Sequence, residues 1–382
     1  MAVRTGRFSS LPISPVSFTD TVRRIEREKG IKVVRFDLAE PLFPPLKEAI
    51  EETVKAVESG YVHYPPPRGI PELVEEILSY FRRTRGLEYD ADEVIVTPGA
   101  KFSVYSAFAS LLSPGDGVLL ITPYWVSFKA IPEMFGARCF EVRMKKPFGL
   151  DEEALKDAVK GKKVLVLNSP NNPTGWVASE EELKLVRDLA LDEDLIVLSD
   201  EVDWAYVYEG EHRSIATLPD MKDRTLLIDS FSKVFGMTGW RVGFSAGPKW
   251  LIDDMLMVQQ HSVSGPTTFS QKACAEILKD AERYAERMVG LCRENRDYLV
   301  ERLSNYLDCP KPPGAFYLFP DASRLGLGGD ELSKSLLEYG VAVSPGRLFG
   351  EGFENNFRIC YAMPKDEVVK GVKRIEEFFR TL

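Results

Sequence analysis

The stretch TLLIDSFSKVFGMTGWRVGF (225–244) decides the fold. It opens on an apolar run with no polar face, breaks into Ser-Phe-Ser-Lys, and continues through a loop bounded by Gly236 and Gly239. Four other stretches share this texture: VIVTPGAK (94–101), GVLLITPYW (117–125), KKVLVLNSPNNPTG (162–175) and DLIVLSDE (194–201). A strand apolar on both faces belongs to a parallel sheet covered on both sides. Most of these runs are joined by helical patterns, as a doubly covered α/β sheet requires. Each ends in small, polar or acidic residues, and ligands of open α/β sheets bind beyond the carboxyl ends of the strands. Five strand ends therefore point to one site.

The flanks are different. A helix is expected over Thr19–Lys29, with Asp20 near its start and Gly30 as its stop, then a short strand at 33–36 and a helix from Leu46 to Ser59. Pro71 opens a helix whose apolar face carries Leu73, Ile77, Tyr80 and Phe81. After about Gly265 come a long charged helix (281–303), strand-like runs at 314–321, 341–346 and 356–364, and a final amphipathic helix over 365–379. The expected organisation is an N-terminal arm plus part of a small domain (1–45), a large domain (46–275) and a C-terminal small α+β domain (276–382).

Composition narrows the function. The 382 residues carry 49 Lys+Arg against 58 Asp+Glu, a net charge of -9, so no nucleic-acid footprint is expected. No apolar run is long enough for a membrane span, and the polar start does not read as a secretory signal. Five scattered cysteines without CxxC suggest neither disulfides nor a metal, and a cytoplasmic location is expected. The three histidines fit no triad or zincin pattern. GxGxxG and GxxxxGK[ST] loops are absent, and GDGVLL (115–120) is a turn.

The strand ends carry the candidate chemistry. Lys233, beside Phe231, Val234 and Phe235, is placed for desolvation, which makes a lysine amine a nucleophile towards an aldehyde; alone it fits a solvated loop lysine equally well. Ser230 and the Arg241 fork suit a phosphate, although Arg241 also suits an ion pair. Asp200 ends a buried strand, so its carboxylate needs a cation, either a protonated heterocycle or a salt-bridge partner. Asn172 suits a ring hydroxyl or a plain turn. Ala100 and Lys101 open a helix whose free N–H groups suit phosphate. Trp125 suits stacking on a flat ring or the core.

Together SFSK-x7-R, NNPTG, SDE, PYW and FRI, with MTGWRVGF, YPPPRGIPEL and GAFY, resemble the fold-type I, class I/II aminotransferases that use pyridoxal 5'-phosphate, in particular the archaeal and thermophilic aspartate-aminotransferase-like branch. The resemblance runs from about Leu38 to the C-terminus. It implies that Lys233 carries the cofactor as a Schiff base and that Asp200 keeps the pyridine nitrogen protonated. Asn172 then meets the ring 3-oxygen, Trp125 stacks on the ring, and Ser230, Arg241, Ala100 and Lys101 hold the phosphate. Tyr64 is the residue that reaches the neighbouring subunit's phosphate, which implies a homodimer with shared sites. Arg358 clamps the substrate α-carboxylate, near Ala39 and Asn172. The implied reaction is ping-pong transamination between an L-amino acid and a 2-oxo acid, with the freed Lys233 amine moving the Cα proton. Lys101 matches a contact to a second carboxylate, which favours aspartate and glutamate, with aromatic donors also open. Arg68 is a further candidate cation.

Two positions depart from the family pattern. Asp203 stands where a tyrosine is usual, which predicts an altered proton affinity at the cofactor–lysine linkage or compensation by Tyr206 or another group. Ala39 stands at a usual glycine, which predicts a tighter pocket. Asp203 also keeps open a C–S β-lyase or a decarboxylase of the same fold. A non-catalytic cofactor-binding regulator is disfavoured, because no DNA-binding segment precedes residue 30.

Overall fold

The computed structural model describes residue 11 and residues 18–382. The arm expected over the first fifteen residues lies outside the described residues, Leu11 excepted. Twelve strands are described: β1 (Val34–Arg35), β2 (Val94–Thr97), β3 (Gly117–Thr122), β4 (Arg138–Arg143), β5 (Val164–Asn168), β6 (Ile196–Asp200), β7 (Thr225–Ser230), β8 (Gly243–Ala246), β9 (Tyr317–Leu318), β10 (Val341–Ala342), β11 (Ser344–Pro345) and β12 (Phe357–Cys360). Seven form the central sheet, in the order β2-β8-β7-β6-β5-β3-β4. β8 runs antiparallel to both its neighbours and the other pairs are parallel.

Both faces of this sheet are buried. Val118 and Leu120 enter one apolar cluster while Leu119 and Ile121 enter another, as the alternation of a strand dictates. Because β2 is antiparallel to β8 and β8 to β7, the carboxyl ends of β2, β3, β5, β6 and β7 share one edge. The register lines up Asn168 with Asp200 there, and Gly243 with both Thr97 and Ser230.

Helices α1 (Thr19–Lys29), α2 (Lys47–Glu58), α3 (Pro71–Arg85) and α4 (Ala100–Leu111) follow the expected signals. In α1, Asp20 lies in the first turn, Arg27 and Lys29 lie in the last, and Gly30 closes it at φ 64. α3 starts on Pro71, buries Leu73, Val74, Ile77, Tyr80 and Phe81, and ends on Gly86 at φ 65. At about 1.5–3 kcal/mol for each large apolar side chain removed from water, this face alone fixes the helix on the core.

The C-terminal part holds the 23-residue helix Ala281–Leu303, the final helix Lys365–Phe379 and the small antiparallel sheet β11-β12-β9. It is joined to the chain start by the parallel pair β1–β10 and by Val22, Ile25 and Val33 packed on Leu337 and Ala342. The sequence pattern misses β4, whose alternating charged residues mark an exposed edge, and β8, a four-residue strand that begins with glycine. The run at 314–321 shrinks to Tyr317–Leu318. Among the described residues no helix is long and apolar enough to cross a membrane, and no group of His, Cys, Asp or Glu is arranged for a metal.

Candidate active site

Lys233 lies in the loop after β7. That loop folds back on itself through Phe231 N–H to Val242 O at 3.2 Å and Met237 N–H to Phe231 O at 3.1 Å. Phe231, Val234 and Phe235 are buried and anchor it. The half-buried lysine turns towards the strand ends. Its Nζ donates to the Ala39 carbonyl and lies 5.5 Å from the Phe316 ring centroid. Ala39 thus reaches the site through its backbone. The Tyr206 hydroxyl donates to the Lys233 carbonyl at 3.0 Å. That phenol is therefore committed to the loop backbone, and the expected compensation of Asp203 by Tyr206 is not supported.

Asp200 is the last residue of β6 and is buried. Its Oδ1 accepts from Val202 N–H at 3.2 Å, and no cation pairs with it among the described residues. Burial pushes its pKa up to about 7, opposed by the Val202 N–H and reinforced by the negative Asp203. Glu201, the next residue, has the opposite surroundings. It meets Arg85 at 2.9 Å, His212 at 3.0 Å, Ser214 at 2.6 Å and Ser199 at 3.0 Å. Burial alone would raise it, but these partners, His212 and Arg85 foremost, hold it near 2. Arg85 also bonds Asp229 at 2.7 Å, and Asp229 accepts from Tyr80 at 2.9 Å. This buried network was not read from the sequence. It ties the ends of β6 and β7 together beneath Asp200 and Ser230.

Arg358, on β12, is only 2% exposed. It donates to Asn172 Oδ1 at 3.0 Å, to the Asp37 carbonyl at 2.7 Å and to Ser344 Oγ at 3.3 Å. Its Nε has no partner, and no carboxylate pairs with it among the described residues. Burial lowers its pKa from the ordinary guanidinium value. Arg358 and Asn172 are therefore one unit, and a buried guanidinium with a spare donor suits an incoming carboxylate.

A cradle lies at the start of α4. Gly99 precedes it at φ 84, and no side chain caps the helix. A Cβ at Gly99 would lie 2.6 Å from Arg241 Nη2, and one at Gly243 would lie 2.5 Å from Ala100 N. Arg241, at φ 58, donates to Thr238 O at 2.8 Å and Pro98 O at 3.4 Å, which places it over the helix start. Ser230 is buried, and its Oγ accepts from Ser232 N–H at 3.3 Å. Lys101 Nζ lies 5.1 Å from the Trp125 ring centroid. Partial burial lowers its pKa, as do Arg241 and Lys233.

Two candidates stand elsewhere. Arg68 bonds the Asp92 and Val94 carbonyls and Asp253, so within this chain it braces β2. Tyr64 is 91% exposed. Two groups near the site were missed by the sequence reading. Asp37 offers its carbonyl to Arg358, and Tyr317 sits under the Arg358 guanidinium at 5.2 Å. Neither stands in a stretch whose local pattern signals a ligand.

Comparison with known proteins gives the same picture over the whole chain. The family model described as "Aminotransferase class I and II" matches residues 31–375. A protein of Aquifex aeolicus named as a probable aspartate/prephenate aminotransferase is 38% identical over 97% of both chains. An aspartate aminotransferase of Sulfolobus acidocaldarius is 33% identical over 96% of this chain and 94% of its own. A double mutant of Thermus thermophilus aspartate aminotransferase superposes with a TM-score of 0.92 at 34% identity over all of both chains. The aromatic aminotransferase from Pyrococcus horikoshii does so with a TM-score of 0.88 at 34% identity, over 92% of this chain and 98% of its own. With the strand ends, the helix-start cradle and the buried arginine already in place, these likenesses settle the family: the chain belongs to the class I and II aminotransferases and is a pyridoxal-phosphate-dependent enzyme of fold type I.

Proposed function

We propose that this aminotransferase takes its amino group from a dicarboxylic L-amino acid, aspartate or glutamate, and passes it to a 2-oxo acid in a ping-pong cycle. We assign Lys233 as the tether of the cofactor aldehyde. One observation carries this assignment: Asp200, a buried acid with no cation paired to it among the described residues, lies within reach of the Lys233 charge. A protonated pyridine nitrogen would supply the missing charge, which is why the residues fit the cofactor. The open start of α4, with Ser230 and Arg241, fits its phosphate. Trp125 fits its ring face, and Asn172 fits its ring oxygen.

When bound, pyridoxal phosphate supplies an aldehyde that takes up the amino group and a ring that withdraws electrons from the substrate Cα. Asp200 holds the proton balance of that ring. Arg358, oriented by Asn172, Asp37 and Ser344, receives the α-carboxylate. The Lys233 amine would serve as the acid–base group that takes the proton from the substrate Cα and carries it across the intervening nitrogen to the former aldehyde carbon. Lys101, beside Trp125, meets the second carboxylate of the substrate. The relatives named as aspartate aminotransferases support this choice of donor.

The assembly we infer is a homodimer in the cytoplasm, with the exposed Tyr64 lent to the partner's phosphate site. The domain limits we infer are a large domain over 46–275 and a small one built from 276–382 and part of 1–45.

The test is the absorbance of the purified enzyme as aspartate, glutamate, phenylalanine and alanine are added singly, without a 2-oxo acid. Aspartate and glutamate should change the cofactor spectrum at the lowest concentrations and release one 2-oxo acid per site. A spectrum that responds to none of the four would remove the assignment, and a preference for phenylalanine would remove the dicarboxylic donor.

A further inference from the structure

Three buried polar atoms beside Lys233 lack hydrogen-bond partners: Asp203 Oδ1, the Tyr317 hydroxyl and Arg358 Nε. Asp203 is 1% exposed, and no cation lies within ion-pair distance of it among the described residues. A carboxylate in that position is costly unless charge reaches it through space. The groups facing it come from six elements of the fold. From the loop after β7 comes Lys233, and from β7 Asp229. β12 brings Arg358, and β9 brings the Tyr317 phenol. Its own loop holds Asp200 and Tyr206, and the helix Ala281–Leu303 brings the Cys292 thiol. Of these, only Lys233 and Arg358 are cations. Arg358 is committed to Asn172, Asp37 and Ser344, and its spare donor is reserved for a carboxylate in the site. Lys233 has no acidic partner of its own among the described residues, its Nζ donating only to a carbonyl.

We propose that Asp203, backed by the Tyr317 hydroxyl, is a positioning residue that serves as the counter-charge of the Lys233 nitrogen and sets the pH at which that nitrogen releases its proton. The proposal rests on Lys233 being the cofactor's tether. An ionised Asp203 favours the protonated nitrogen, because a nearby opposite charge stabilises the charged form, commonly by ~1–3 units of titration. Burial opposes ionisation and pushes the acid up to about 6, while the neighbouring Tyr317 phenol, unbonded here, is free to turn and donate to the ionised carboxylate. When a substrate carboxylate occupies Arg358, Lys233 becomes the only cation left to Asp203.

The experiment is a pH titration of the resting holoenzyme by visible absorbance, without substrate, for wild type, Asp203→Asn and Tyr317→Phe. Removing the negative charge should lower the midpoint of the nitrogen's titration by about one unit or more. Tyr317→Phe should lower it less, since the carboxylate remains but loses the phenol able to donate to it. Coincident midpoints for wild type and Asp203→Asn, or an upward shift, would overturn the proposal. If Asp203→Asn fails to fold by circular dichroism, Tyr317→Phe decides alone: an unmoved midpoint overturns the proposal and a lowered one supports it. A wild type that never develops the cofactor's visible band refutes the tether itself, a failure distinct from coincident midpoints, and the proposal falls with it.

Discussion

Glu201 is met by an arginine, a histidine and two hydroxyls, while Asp200, one residue earlier and on the other face of the strand, has only the Val202 N–H. Alternation along β6 sends one acid to a finished network and the other to the ligand side. Asp200→Asn should leave the fold intact and lower the rate of the amino-acid half-reaction by at least 100-fold, seen by stopped-flow absorbance as a slow change with unaltered amplitude. That figure follows from about 2.7 kcal/mol of lost charge stabilisation at ~1.4 kcal/mol per decade. Lys233→Ala should keep cofactor but slow proton transfer by about 100- to 10,000-fold, with partial rescue by added small amines. Lys101→Ala should raise the KM for aspartate far more than that for phenylalanine, and equal increases would argue against a second carboxylate at that lysine.

At the scale of elements, the Arg85 network is the stitch between β6 and β7. Glu201 has a folded pKa near 2 against an ordinary value of 4.5, so its contribution is present above pH 4.5 and fades as pH falls towards 2. Asp200 behaves oppositely in the cofactor-free protein: its raised pKa makes it a growing cost between about pH 4 and pH 7. Glu201→Gln should therefore cost about 3–5 kcal/mol at pH 7, with urea midpoints converging on wild type as the pH is lowered through 4. The start of α4 depends on a different constraint. Gly243→Ala would drive a methyl group into the Gly99–Ala100 backbone, and should weaken cofactor affinity, measured by fluorescence titration of the cofactor-free enzyme, more than it lowers the melting temperature.

For the whole molecule, what the sequence revealed follows from what is local. β3, β5, β6 and β7 declared themselves because a strand buried on both faces must be apolar throughout, and their polar ends marked the site edge. The candidates Lys233, Asp200 and Asn172 were read from those same strand ends. β8 was not, since its pairing comes from neighbours on both sides and not from its own four residues. Arg85 meets Glu201 across 116 residues, and no local pattern in α3 signals it. Tyr317 stood unremarked within the run at 314–321, and only the fold brings it against Arg358. Arg358 itself was placed by family likeness, and the structure supplies its reason in the bond to Asn172, 186 residues away.

Val34 pairs with Val341, and the Asp37 carbonyl waits for Arg358. A ribosome must therefore thread out the chain past residue 358 before Arg358 can meet these partners. A nascent chain halted at residue 340 would already carry Lys233, Asp200 and the open start of α4, yet lack Arg358. Vitamin capture should thus precede competence for turnover during synthesis, and arrested chains of increasing length would expose that order.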